Sequence, residues 1–348
     1  MSTDLKTWLS SLILLVTVTA VHAQTRLAEV HTSAGTDSVT VLDSASAKRS
    51  FFKKFLDYFN DANKEKKNKK FDFSIIGGPH YSSDTKLGLG LVAAGLYRSD
   101  RNDTILPPSN VSLYGDVSTV GFYLLGVRGT HLFPYDKYRL NYNLYFYSFP
   151  SLYWGAGYDN GANSDNESDY DRFQAQMKVD FMFQLARNFY VGPMAVFDYV
   201  YGHDFEKPEL WEGMSTRTTN LSVGLSLLYD SRDFLTNAYK GYYLRIDQRF
   251  SPAFLGNKYA FSSTELDTRY YHEVWKGGVL AGQFHTLLNY GNPPWGLMAI
   301  LGSSYSMRGY YEGRYRDKCV MDAQIELRQH VWKRNGVAVW AGAGTIFP

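Results

Sequence analysis

From Phe173 to Phe181 every odd position is apolar and every even one polar: Phe173, Ala175, Met177, Val179 and Phe181 alternate with Gln174, Gln176, Lys178 and Asp180. An extended chain sends successive side chains to opposite faces, so this segment predicts a strand with one apolar and one polar face. The same period recurs at Ala323 to Arg328, where Ala323, Ile325 and Leu327 oppose Gln324, Glu326 and Arg328, and again at Tyr242 to Phe250. From Phe71 onward the pattern predicts thirteen strands, at 71–79, 86–97, 111–118, 121–132, 138–149, 172–185, 188–201, 217–229, 240–251, 259–272, 276–289, 319–331 and 336–346. Long polar connections at 150–171, 202–216 and 290–318 alternate with tighter turns. The connection at 98–110, carrying Pro107 and Pro108, breaks that rhythm and leaves the pairing of the first four strands open.

A soluble sandwich also alternates, but it needs no apolar outer face on nearly every strand. A membrane barrel does, because each strand meets lipid on one side and a polar lumen on the other. Tyr145, Phe146, Tyr147, Phe149, Tyr153 and Trp154 crowd one strand end and are expected to form part of an interfacial girdle. Past the N-terminal segment no run of about eighteen apolar residues exists, so no spanning helix is expected. The predicted fold is therefore all-β, a transmembrane antiparallel β-barrel over residues 71–348.

The N-terminus supplies the address. Lys6, the apolar run Leu9 to Val18 and the small-x-small site Val21-His22-Ala23 predict a signal peptide over 1–23. Residues 24–47 are polar and aperiodic and are expected to be a flexible periplasmic lead. Over 48–70, Phe51, Phe52, Phe55, Leu56 and Phe59 recur at helical spacing, predicting a short basic amphipathic helix. Its lysines, Lys53, Lys54, Lys66, Lys67, Lys69 and Lys70, suit either anionic headgroups of the membrane surface or plain solvent. The expected location is the bacterial outer membrane, with outer-membrane lipid as the first partner.

Composition adds the exclusions. The 348 residues include 28 Tyr, 22 Phe and 30 Gly, yet mean hydropathy is −0.31, so polar residues must be interleaved with the aromatic ones. A net charge of +2 gives no reason to expect nucleic acid. Cys319 is the single cysteine, which excludes an internal disulfide; by parity with Met321, Ala323 and Ile325 it is expected to face lipid near the extracellular rim. His203-Asp204, His272-Glu273, His285 and His330 have no metal-ligand spacing, and the acidic loop Asp159 to Asp171 lacks the terminal glutamate of a calcium loop. No nucleophile elbow or nucleotide loop occurs. No metal, no cofactor and no catalytic residue is expected.

Two motifs carry a family resemblance. The turn Asp230-Ser231-Arg232-Asp233 followed by Lys240-Gly241, and the stretch Ser306-Met307-Arg308-Gly309-Tyr310, resemble signatures of the BamA/TamA superfamily of outer-membrane barrels, the bacterial surface antigen type. Ser83-Asp84-Thr85 with Gly88 is similar to the opening of that barrel. The resemblance implies that the Arg308-Gly309-Tyr310 loop folds back into the lumen. A guanidinium there needs a carboxylate, since unpaired burial of the charge is costly. Glu326 faces the lumen by parity and lies on the following strand, with Asp322 a pleat pair away. Gly309 would give the tight backbone, and Tyr310 is expected to pack against the wall. One departure is visible. The family's second acid, in an Asp-x-Gly-Thr pattern, is replaced by Gly342-Ala343-Gly344-Thr345.

By the same resemblance the barrel would have about sixteen strands, and closure is needed in lipid. With thirteen found, the chain is expected to be truncated at its C-terminal end. The implied function is membrane-protein insertion, translocation or lipid handling, with a periplasmic docking or envelope-biogenesis protein supplying what 24–70 is too short to hold. A passive pore, or an outer-membrane hydrolase, are the alternatives from other classes.

Overall fold

The computed structural model describes residues 71–82, 85–97, 108–234, 237–303, 306–332 and 335–348. The signal peptide, the periplasmic lead, the amphipathic helix with its six lysines, Ser83-Asp84 and most of the 98–110 connection lie outside the described residues.

Among the described residues, thirteen strands form one antiparallel sheet in chain order. They are β1 (Phe71–Ser82), β2 (Lys86–Tyr97), β3 (Ser109–Ser118), β4 (Tyr123–Leu132), β5 (Tyr138–Tyr153), β6 (Ser168–Ala186) and β7 (Phe189–His203). They continue as β8 (Arg217–Asp230), β9 (Gly241–Ser251), β10 (Phe261–Trp275) and β11 (Gly278–Gly291). Two short strands, β12 (Ala299–Ile300) and β13 (Arg316–Asp317), pair with each other inside the long connection, and β14 (Cys319–Trp332) and β15 (Asn335–Phe347) complete the main sheet. Each predicted strand has its counterpart, the pairing of β1 to β4 is sequential, and among the described residues no helix is long and apolar enough to cross a membrane.

The sheet is inside out relative to a soluble domain. Gln174, Asp180, Asp198, Asn220, Ser222, Ser226, Asp247, Asp322 and Glu326 are buried, while Leu89, Leu91, Leu113, Leu125, Leu144, Met177, Leu225 and Ile325 stand exposed on the opposite face. That is the partition a barrel wall requires when its outside solvent is hydrocarbon. Outward aromatic residues gather in two bands, with Tyr123, Phe250 and Tyr290 at the loop end and Tyr138, Phe183, Tyr270, Trp275 and Trp332 at the turn end.

Two sequence expectations are corrected. Of the proposed girdle on β5, only Phe146 points outward; Tyr145 and Tyr147 bond Gln174 on the inner face, Phe149 packs edge-to-face on Phe122 there, and Tyr153 and Trp154 are fully buried. The alternation that identified the strand also divides its aromatic residues, so a run of them cannot all face lipid. Cys319 keeps the outward parity of Met321 but is covered, not open to lipid: at the head of β14, between Leu288 and Phe347, it is buried and its thiol donates toward the Asn289 carbonyl at 3.8 Å.

Two connections at one end are two-residue turns: Arg187-Asn188, with Asn188 at φ 63°, joins β6 to β7, and Lys276-Gly277 joins β10 to β11. The other end carries the long loops. They pack into an aromatic cluster of Tyr153, Tyr170, Trp211 and Trp295, with Phe205 against it.

Candidate functional site

The inner wall around β5 to β11 is a connected polar network. Asp247 accepts from Lys178 Nζ at 2.7 Å, Arg245 Nε at 2.9 Å and Ser226 Oγ at 2.6 Å. Asp180 accepts from Arg245 at 2.9 Å and Asn141 at 2.7 Å. Burying those two carboxylates is tolerable because every charge has an opposite partner and further donors.

The 292–318 connection between β11 and β14 lies against this wall. Trp295 is fully buried, a Cβ on Gly296 would come within 2.9 Å of Val200, and Leu301 and Met307 pack with Val320 and Ile346. Polar contacts then fix its tip. Arg308 donates to Glu326 Oε2, Arg328 Nε donates to Glu326 Oε1 at 2.5 Å, and the Arg308 guanidinium stands 4.5 Å from the Trp340 ring centre. Ser306 donates to Asp322, which also meets His285 Nδ1 at 2.9 Å; His285 Nε2 is 3.7 Å from Glu265. Gly309 has φ 108°, a conformation that favours glycine. Tyr310 does not pack on the wall as expected: it is half exposed and leans edge-on toward Tyr315 of its own loop. The loop also reaches across to the β5–β6 hairpin, where Tyr311 accepts from the Leu152 amide at the end of β5 at 3.1 Å and Arg314 donates to the Gly161 carbonyl of the connection at 3.0 Å.

The second motif folds the β8–β9 turn. Arg232 pairs in a fork with Asp230, at 2.9 and 2.8 Å, and lies over the Tyr243 ring. Asp233 Oδ1 accepts from the amides of Phe234, Tyr239 and Lys240 at 3.0, 3.0 and 3.3 Å. Burial pushes the Asp233 carboxyl up, but these amides together reverse that and hold it below the usual carboxylate range. Gly241, at φ 116°, passes so close to Ser231 that a Cβ would sit 2.5 Å from its carbonyl oxygen.

The Omp85 superfamily domain profile matches residues 129–347, which contain both motifs and the loop. The chain belongs to the Omp85 superfamily. It is an outer-membrane β-barrel protein of that group. Among solved structures it is similar to CdiB from Escherichia coli, at 13% identity and a TM-score of 0.53 over 80% of this chain and 52% of that one. It is also similar to BamA from Haemophilus ducreyi lacking POTRA domains 1-3, at 11% identity and a TM-score of 0.50 over 78% and 57%. The chain thus spans just over half the length of these Omp85-like structures, and the likeness is one of fold. No curated protein sequence matches it.

Sequence reasoning missed several parts of this Omp85 loop site. Trp340, opposite Glu326 in register, takes the Arg308 guanidinium near the missing second acid, and Arg328 shares the same carboxylate. The His285–Asp322–Ser306 chain was also unseen. His285 and Asp322 are direct cross-strand partners, which becomes visible only once β11 and β14 are paired. Away from the loop, register brings ligand atoms of Asp171, His203 and Asp204 within 4.8 Å at an exposed strand end; solvated groups of this kind need no ion to coexist.

Proposed function

We propose that this Omp85 barrel acts in the insertion or translocation of proteins at the outer membrane, together with a periplasmic partner that docks the client, and that it carries no catalytic chemistry of its own. The observation that carries the reading is the loop tip held to the inner wall, Arg308 on Glu326 and Ser306 on Asp322, within the family-matched region. A barrel that spends a long loop, two ion-paired arginines and a cross-strand histidine on its own lumen is organised around that loop and not around an open passage. This weighs against a passive pore, and the absence of a nucleophile motif leaves the hydrolase reading without support. The β8–β9 turn, at the end opposite the long loops, presents the exposed Asp233 and Phe234 to a periplasmic partner.

The test is reconstitution of the full chain in liposomes with an unfolded barrel client and the periplasmic proteins that crosslink to the β8–β9 turn in cells. Client folding, read as heat-modifiable gel mobility, should accelerate with the wild type and slow with Arg308→Ala. Equal folding rates for liposomes with and without the protein, partner included, would sink the proposal.

A further inference from the structure

Between the lumenal loop and the loop ends of β4, β5 and β6 lies a cavity of about 610 Å³ whose lining does two different things. One side is apolar, from Phe122, Leu124, Phe149 and Leu152. The other carries guanidinium groups with too few acceptors. Among the described residues, nothing accepts a hydrogen bond from Arg172, whose Nε is buried and unpartnered. Arg316 is 1% exposed; its NH1 reaches the Trp295 carbonyl at 3.0 Å, its Nε has no partner, and its cation lies over the Tyr153 and Trp295 rings. Arg308, also on the lining, is already committed to Glu326. The one carboxylate on the lining, Glu312, forms no ion pair or hydrogen bond among the described residues, although Arg172 and Arg316 are close enough for their charges to act on it. Burial drives the Glu312 carboxyl up, against the pull of Arg172 and Arg316. Buried cationic donors without acceptors are costly, and a cavity of this size with an apolar side is large enough for a small organic molecule.

We propose that this cavity binds an amphipathic organic anion, a carboxylate or phosphate head on Arg172 and Arg316 with an acyl-type body against Phe122, Leu124 and Phe149. An acyl chain fits better than a peptide terminus. The backbone of β4, β5 and β6 is committed to the sheet ladder, so a peptide entering here would leave its own amides unpaired, whereas an acyl chain brings none. The site is independent of the insertion reading above and stands or falls separately.

The experiment photolabels the full chain, purified in a neutral maltoside detergent, with diazirine-bearing dodecanoate, dodecyl phosphate and dodecanol, and maps the modified peptides by mass spectrometry. One or both acids should label the Tyr310–Arg316 and Phe122–Leu124 peptides, the ratio between them assigning the head to carboxylate or phosphate. Dodecanol should label only outward strand positions. Arg172→Gln should reduce cavity labelling at least tenfold while heat-modifiable mobility is kept, Arg172→Lys should recover part of it, and Glu312→Gln should increase it by removing the competing carboxylate. Should Arg172→Gln fail to fold, the Glu312→Gln increase decides the matter alone. Cavity labelling that is equal for dodecanol, absent for both acids, unmoved or lowered by Glu312→Gln, or displaced by a peptide acid but not by unlabelled dodecanoate would overturn the proposal.

Discussion

A carboxylate shared by two arginines is the most informative residue-scale feature, because its two partners respond differently to mutation. Arg308→Ala removes one donor from Glu326 but leaves Arg328 on it, so a loss of about 1 kcal/mol is expected. Glu326→Ala strands both guanidiniums and should cost about 1–3 kcal/mol, with heat-modifiable mobility lost at lower temperature. The double variant should be milder than the sum, and strict additivity would mean the pair does not couple. Trp340→Ala should cost about 0.5–1 kcal/mol in the wild type and nothing in Arg308→Ala, since its contribution is the ring face under that cation. Arg308 and Glu326 were legible from charge, parity and the family motif; Trp340 was not, because which residue lies opposite Glu326 depends on the β14–β15 register. The β8–β9 turn makes a pH prediction. Asp233 is held below its ordinary pKa, so its stabilisation is fully present above the unfolded value of about 3.9 and is lost as pH falls through the lower folded one. An NMR titration of the Tyr239 amide, a donor to Asp233, should stay flat from neutral pH down to about 4 and move only below. A midpoint above 4 would remove the capping role.

At the scale of elements, the strands were legible because lipid imposes a period-two code on every one of them, and the misplaced ends mark where that code stops applying. The sequence pattern ended β5 at 149 and began β6 at 172, yet the ladder continues through Pro150↔Asp171, Ser151↔Tyr170, Leu152↔Asp169 and Tyr153↔Ser168. Beyond the hydrocarbon the hairpin stands in water and under other loops, where polar residues no longer signal a strand's end. The seating of the long loop was illegible for a related reason: its contacts are steric and depend on its pose. Gly296 tests that seating. A Cβ there would approach Val200 Cβ within 2.9 Å and Thr218 Oγ1 within 3.3 Å, so Gly296→Val should lift the loop from β7 and β8. Brief proteolysis of the folded variant should cut within 292–318 where the wild type resists. Equal resistance would show that the wall yields to the methyl groups instead.

At the scale of the whole molecule, the polar network and the loop together set what the lumen can pass. Asp180, Asp247, Lys178 and Arg245 bridge β6 and β9 on the inner wall, and the loop from β11 reaches the connection between β5 and β6 on the far side of that network. Water-filled passage for solutes needs both obstacles to move, and each is pinned by charge-assisted hydrogen bonds that are strong in a lumen of reduced dielectric. The wild type reconstituted in planar bilayers should therefore show low and infrequent conductance. Replacing 298–314 by a short Gly/Ser linker removes β12, the Arg308 tip and the contacts to Leu152 and Gly161 while leaving every strand of the main sheet intact. That variant should conduct in long openings several-fold larger than the wild type's. Lys178→Ala with Asp247→Ala, which deletes the Lys178–Asp247 and Arg245–Asp247 ion pairs and no loop contact, should change ion selectivity more than opening frequency. If the loop replacement conducts no better than the wild type, the loop is not what closes this lumen, and the case against a passive pore loses its physical basis.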